Sequence, residues 1–232
     1  MVYIIAEAGV DHEGSEDRAL ELFNAALNAK ADCFKIQYYS YGFEGEHRTL
    51  PWLTGTAVRV IKDWCDSHDM DFLITPHDKW ALDFIYDLGL GTIKIGSGDW
   101  GLLDAAIATK KELIVSTGGK STARVSSLYN ELAQGKIEFR LLHCISLYPC
   151  PAEKADLRRL RTCNHTLTGY SDHTRGTAIA LAAVGLGAKI IEKHLTLERD
   201  VDGRNDTTCS LLPDEWPKFV KDIREIEQAL AS

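Results

Sequence analysis

LTGYSDHTRGTAIALAAVGLGAKIIEKHLT, residues 167–196, places two short runs of strand character (LTGYSDH, 167–173, and KIIEKHLT, 189–196) on either side of an alanine-rich apolar stretch. That pattern predicts a strand, a crossover helix and a second strand parallel to the first. Working outward, the same unit recurs. YIIAEAG (3–9), CFKIQYY (33–39), DFLITP (71–76), TIKIGSG (92–98), ELIVSTGG (112–119) and FRLLHCIS (139–146) complete a set of eight strands. Amphipathic stretches such as SEDRALELFNAALNAKA (15–31), TAVRVIKDWCDSHD (56–69) and PDEWPKFVKDIREIEQAL (213–230) supply helices. Eight βα units within 232 residues predict an α/β protein, a TIM-type (β/α)8 barrel in one domain spanning 1–232. An open doubly wound sheet is less consistent, because no G-x-G-x-x-G opens the first helix. The two longest irregular stretches, 41–55 and 198–213, follow the second and eighth strands.

Composition supports a globular chain with a sizeable core: 45% of residues are hydrophobic and 26% charged. A net charge of -8 argues against a nucleic-acid surface, which needs clustered Lys and Arg. The apolar run AIALAAVGLGA (178–188) is too short to span a bilayer, and no basic segment precedes an apolar one at the N-terminus, so a cytoplasmic protein without membrane association is expected. The cysteines (Cys33, Cys65, Cys144, Cys150, Cys163, Cys209) include no C-x-x-C pair and read as free thiols in a reducing compartment.

In a barrel of this type, the C-terminal strand ends and the loops after them form the active site. Ionisable, hydroxyl or small residues gather at those ends: Glu7, Lys35 with Gln37, Thr75, Lys94 with Ser97, Ser116 with Thr117, and His143 with Ser146. Ser171, Asp172 and His173 end the seventh strand, and Glu192 and His194 the eighth. Strand residues two apart share a face, so Lys35 points with Gln37, Ser171 with His173, and Glu192 with His194, while Lys193 points the other way. Neighbouring seventh and eighth strands then bring His173 beside His194, a pair able to hold a divalent metal with positions left open for substrate. Lysines inside a barrel cost several kcal/mol unless compensated, and an anionic ligand is the simplest compensation for Lys35 and Lys94. The nearby Gly96, Gly98, Gly118 and Gly119 allow the close backbone approach that a phosphate requires.

Taken in order, IIAEAGVDHEGS, FKIQ, ITP, IKIGSGDW, IVSTGG, LLHCISLYPCP, GYSDHTRG and IIEKHLTLERD resemble the N-acetylneuraminate (sialic acid) synthase family from residue 3 to about residue 216. The resemblance implies condensation of phosphoenolpyruvate with an N-acetyl amino sugar in its open-chain aldehyde form, with a divalent metal, Mn2+ or Mg2+, as cofactor. It implies His173 and His194 as metal ligands. Lys35, Lys94, Ser97, Ser116 and Ser171 fall on positions that grip the phosphate and carboxylate of phosphoenolpyruvate, to which Thr75 and Ser146 add hydroxyls. Glu7, Gln37, Tyr148, Glu192 and Asp206 fall near the reacting centre or the sugar, with Glu7 ahead of Glu192 as acid or base.

This chain departs from the family in three places. Asp11 precedes His12 where the family usually has Asn; TPHD (75–78) stands where it tends to place an aromatic; and DGRNDTTCS (202–210) matches its corresponding loop only loosely. The family's small C-terminal antifreeze-like domain, which lends an arginine to a partner's sugar site, has no counterpart in these residues. That implies a homodimer, a separate small domain, or an acceptor gripped by loops 41–55 and 198–213, which carry His47, Arg48, Trp52, Arg199, Arg204 and Asn205. The alternatives are another phosphate-binding barrel, an aldolase or isomerase, or a catalytically silent partner subunit.

Overall fold

Residues 1–39, 52–163 and 165–231 are described by the structure, a computed structural model. Among them eight strands alternate with helices: β1 (Tyr3–Gly9), β2 (Cys33–Tyr38), β3 (Asp71–Pro76), β4 (Thr92–Ile95), β5 (Glu112–Ser116), β6 (Phe139–His143), β7 (Gly169–Asp172) and β8 (Ile190–His194). Each is followed by its helix: α1 (Glu16–Asn28), α2 (Gly55–Ser67), α3 (Lys79–Asp87), α4 (Leu103–Ala108), α5 (Thr122–Gln134), α6 (Arg158–Thr162), α7 (Ala178–Gly185) and α8 (Trp216–Ala231). Strand order is β3-β2-β1-β8-β7-β6-β5-β4 with parallel ladders, and β3 and β4 meet to bring the sheet round into a barrel. The (β/α)8 expectation is met. No helix among the described residues is long and apolar enough to cross a membrane, and all six cysteines are free thiols.

Local sequence sets where helices begin. Ser15, Thr54, Asp78 and Ser121 stand at the N-caps of α1, α2, α3 and α5, and each side chain accepts a backbone N–H three residues on, at 2.7–3.3 Å. Such a cap contributes about 1 kcal/mol. Asp78, one of the residues departing from the family pattern, has this structural task. The fourth, fifth and sixth strands stop at Ile95, Ser116 and His143, three residues short of the expected ends, because the chain leaves the sheet there to build the barrel mouth.

Alternation divides the strands into two separate apolar clusters. One lies between sheet and helices and holds Ile4, Ala6, Phe34, Ile36, Ile93, Val115 and Ile191 together with helix residues such as Leu22, Leu82 and Phe219. The other is the barrel's own plug: Ile5, Cys33, Leu73, Ile114, Leu142 and Ile190. Gly169 is required beside that plug, since a Cβ there would lie 2.7 Å from Ile190 Cβ and 2.8 Å from Leu142 Cδ2.

The outer face of the wall carries a fully buried ion pair. Lys193 Nζ donates to Asp172 Oδ2 at 2.8 Å and to the Thr174 carbonyl, and neither Lys193 nor Asp172 has any solvent exposure. Lys193 therefore faces away from the barrel interior, as strand parity requires. Removing one member of such a pair strands the other without water, so Lys193→Met should lower unfolding stability by about 3–5 kcal/mol in urea titrations. Adding Asp172→Asn to it should recover part of the loss. Unchanged stability in the single variant would show that the pair holds nothing together.

Candidate active site at the C-terminal mouth of the barrel

Two positions after each plug residue stands a residue of the cleft above it. Ile5 leads to Glu7, Cys33 to Lys35, Leu73 to Thr75, Ile114 to Ser116, Leu142 to Cys144 and Ile190 to Glu192. One more step of two brings Gln37, His77, Ser146 and His194 to the same cleft; on β7 Ser171 and His173 follow Gly169, and on β4 Lys94 points inward with Gly96. The resulting cleft measures about 380 Å³ and also takes in Tyr39, Ser97, Asp99 and Tyr148. Every residue that the family resemblance implies for the reacting centre, the anion or the metal lines it, except Asp206.

Four charges meet at its base. Lys35 Nζ is paired with Glu7 Oε2, donates to Thr75 Oγ1 at 3.0 Å and lies 3.7 Å from Glu192 Oε2. Lys94 Nζ donates to Ser116 Oγ at 2.8 Å, with Glu192 Oε1 at 3.7 Å. Ser171 Oγ donates to Glu192 Oε1 at 2.8 Å. All four charged residues are at most 5% exposed. Burial pulls Lys35 down to about 7 despite the pull of Glu192 in the other direction. Burial alone would raise Glu192, but Lys35, Lys94, the Ser171 hydrogen bond and His194 outweigh it and hold the carboxyl at about 2. Glu7 Oε1 and Glu192 Oε2 are buried and accept no hydrogen bond. Buried oxygens of this kind are costly unless a ligand or water supplies a donor.

The imidazoles are likewise brought together. The rings of His173 and His194 are 5.5 Å apart, and Tyr148 packs 4.2 Å from His173. His173 Nδ1 lies 2.8 Å from the Ile145 carbonyl, which accepts the proton there and leaves Nε2 to face the cleft, 3.4 Å from Ser171 Oγ. Burial lowers His173 to about 4 and His194 to about 3, so both rings are neutral at physiological pH. Among the described residues no three His, Cys, Asp or Glu side chains are grouped to hold a metal ion; the donors at this point are these two imidazoles.

A second cleft of about 370 Å³ adjoins the first and shares Gln37, Tyr39, Tyr148 and His194 with it. Asp206 lines this second cleft, with Asp11, Arg204, Asn205 and Ser210. It is not remote from the first: its Oδ2, Glu7 Oε1 and Gln37 Nε2 all surround the α-carbon of Gly9, where a Cβ would sit 3.4, 3.4 and 3.6 Å from them. Burial raises the Asp206 carboxyl, against His173 and Lys35.

Comparison with known proteins places this arrangement. The model of the NeuB family matches residues 47–232. The N,N'-diacetyllegionaminic acid synthase of Campylobacter jejuni is 32% identical over 98% of this chain and 77% of its own length. The human N-acetylneuraminate-9-phosphate synthase is 29% identical, over 99% and 71%. The crystal structure of the N-acetylneuraminic acid (sialic acid) synthetase of Leptospira borgpetersenii superposes with a TM-score of 0.91 at 32% identity, covering the whole chain and 85% of that protein. The chain belongs to the NeuB family.

Some strand-end residues turn out not to belong to the site of this NeuB barrel. His143 faces outward, its Nε2 2.9 Å from the Ala155 carbonyl, and Thr117 Oγ1 donates to the Leu142 carbonyl at 3.0 Å. Both occupy positions of the wrong parity. Gly118 does not offer its N–H to a ligand, because that group donates to Ser97 Oγ at 2.8 Å. Arg199 is held by Glu215 and the Ser210 carbonyl, outside both clefts. His47 and Arg48 lie outside the described residues. Conversely, Tyr39, His77, Asp99 and Cys144 line the cleft without standing among the residues the sequence points to. Tyr39 stacks on His77 with ring centroids 4.3 Å apart, and His77 Nδ1 meets Asp99 Oδ1 at 3.1 Å. Parity finds both His77, two residues beyond Thr75, and Cys144, two beyond the plug residue Leu142 and two before Ser146.

Gly118 has a steric reason to be glycine. A Cβ there would lie 2.7 Å from Ser97 Oγ and 2.9 Å from Cys144 Sγ, and would press on Ser146 Oγ. Gly118→Ala should push these groups into the cleft while leaving the fold intact. Loss of one charge-assisted contact, about 1.5–3 kcal/mol, should weaken binding of inorganic phosphate at least about tenfold by calorimetry. An unchanged dissociation constant would place the anion elsewhere.

Proposed function

We propose that this protein joins phosphoenolpyruvate to a sugar aldehyde, giving a sialic-acid-like 2-keto acid and phosphate. The observation that carries this reading is the pairing of the two clefts: an anion-seeking one built on Lys35 and Lys94 shares Gln37, Tyr39, Tyr148 and His194 with a second, whose Asn205, Asp206 and Ser210 can meet the hydroxyls of a sugar. The family relatives named for sialic and legionaminic acid synthesis support it. Their names also leave open whether the acceptor carries phosphate.

Lys35, Lys94, Ser97, Ser116 and Ser171, with Thr75 and Ser146 beside them, supply cations and hydroxyls for the phosphate and carboxylate. The methylene carbon of phosphoenolpyruvate forms the new C–C bond to the aldehyde carbon, and the aldehyde oxygen gains a proton. Positive charge develops at the substrate's second carbon, where water adds. Glu192, held ionised, faces that charge, a role that suits it better than proton transfer. Glu7 Oε1, with no hydrogen-bond partner, takes a proton of that water and passes it to the former aldehyde oxygen. The C–O bond to phosphate then breaks as the hydroxyl on the second carbon becomes the keto group, its proton leaving with the phosphate, and the lysines hold the departing group.

The two neutral imidazoles of His173 and His194 would hold a divalent cation, with the remaining positions left to oxygen ligands. When bound, such an ion polarises the aldehyde oxygen. Gln37 and Tyr148, on the shared wall, orient the acceptor between the clefts.

The test is phosphate release from phosphoenolpyruvate with a panel of aldoses, with and without manganese or magnesium. Activity should appear with an N-acetyl amino sugar, vanish on chelation and return with metal. Consumption of phosphoenolpyruvate with none of the sugars would overturn the reading, and full turnover after exhaustive chelation would remove the metal from it. Glu7→Gln should lower turnover about 100-fold or more while phosphoenolpyruvate binding changes little. Equal loss of binding would make Glu7 a positioning residue.

A further inference from the structure

The far end of the second cleft is walled by two loops, the one after β1 and the one after β8, and the charges on them are already spent. Arg204 is the one cation among the described residues lining this cleft. Its Nη1 lies 2.6 Å from Asp11 Oδ1 and 2.6 Å from Glu13 Oε1. Asp11 is 5% exposed and also accepts from Arg18 Nη2 at 3.2 Å, Thr196 Oγ1 at 3.0 Å and the Leu197 N–H at 3.3 Å. Arg18 Nε in turn lies 3.2 Å from Glu13 Oε1. Two guanidiniums and two carboxylates thus cancel, and Asp206 adds a further negative group to the same wall.

The first cleft holds the same balance of two cations and two carboxylates, but one of its cations is less closely engaged. Lys94 Nζ is hydrogen-bonded to a hydroxyl and has its nearest carboxylate oxygen at 3.7 Å, so its charge is available to a ligand. A phosphate brought to the second cleft would have to break Arg204 away from two carboxylates and then lie against them.

We infer that the acceptor is a sugar without a phosphate group, and that Asp11 and Glu13 enforce this by occupying Arg204. Hydroxyl and amide groups of such a sugar can be met by Asn205, Ser210 and Asp206 without any ion pair being broken. The inference rests on the proposed condensation and specifies its acceptor class. Asp11, standing where the family usually has Asn, is the residue on which the discrimination turns.

The experiment compares N-acetylmannosamine with its terminal phosphate ester as acceptors for the whole chain, with phosphoenolpyruvate saturating and phosphate release as the readout. The unphosphorylated sugar should have a kcat/KM at least about tenfold higher, the equivalent of one charge-assisted contact. Asp11→Asn with Glu13→Gln frees Arg204 and should narrow or reverse that ratio by about tenfold, through the Michaelis constant of the phosphorylated sugar, with that of phosphoenolpyruvate unchanged. Because Asp11 is buried, Glu13→Gln alone serves as the second variant; its carboxylate is 43% exposed, and it should move the ratio in the same direction. Equal or better use of the phosphate ester by the unaltered chain, or a ratio indifferent to both variants, overturns the inference and leaves the condensation standing. Turnover with neither sugar or any other aldose overturns the condensation, and the acceptor assignment with it.

Discussion

Two lysines and two glutamates buried inside a closed barrel can exist only as a balanced set, and the organisation of this protein follows from holding that set in place. The Glu7–Lys35–Glu192–Lys94 chain has no net charge. Each member taken alone would carry a desolvation penalty of several kcal/mol. The strands fix these side chains at positions of one parity, above an apolar plug that keeps water from below and beneath a mouth that admits it from above. A shift of one residue in any strand would exchange a site residue for one that belongs against the helices, which is why register is so tightly specified here.

Much of this was legible in the sequence because period-two alternation is a property of the backbone, not of tertiary context. Lys35, Gln37, Ser171, His173, Glu192 and His194 were placed together by counting, and the structure puts them in one cleft. His143 and Thr117 were misplaced when nearness to a strand end was allowed to outweigh parity. Tyr39 and Asp99 were missed for a different reason: they reach the site from loops, whose course no periodicity announces. The engagement of Arg204 by Asp11 and Glu13 was also hidden, since it joins residues 193 and 191 positions apart in two loops that meet only once the first and eighth strands are neighbours.

Strands and loops accordingly carry different parts of the site. The residues assigned to the reacting end, from Glu7 to His194, stand on or next to elements packed on both faces, where rotamers are confined. Those assigned to the acceptor's far end stand on the turns after β1 and β8, secured by ion pairs and hydrogen bonds. Changes in the turns can alter what the second cleft admits and leave the strand-borne groups undisturbed, a division that suits a family whose relatives are named for N-acetylneuraminate and for N,N'-diacetyllegionaminic acid.

The apolar plug also determines traffic. Ile5, Cys33, Leu73, Ile114, Leu142 and Ile190 close the barrel beneath the lysines, each at most 5% exposed, so the first cleft has a floor and is entered from the mouth. Tyr39 and Tyr148 stand at that mouth and line both clefts. Whatever the first cleft takes up and whatever it gives back therefore pass through the same end of the barrel.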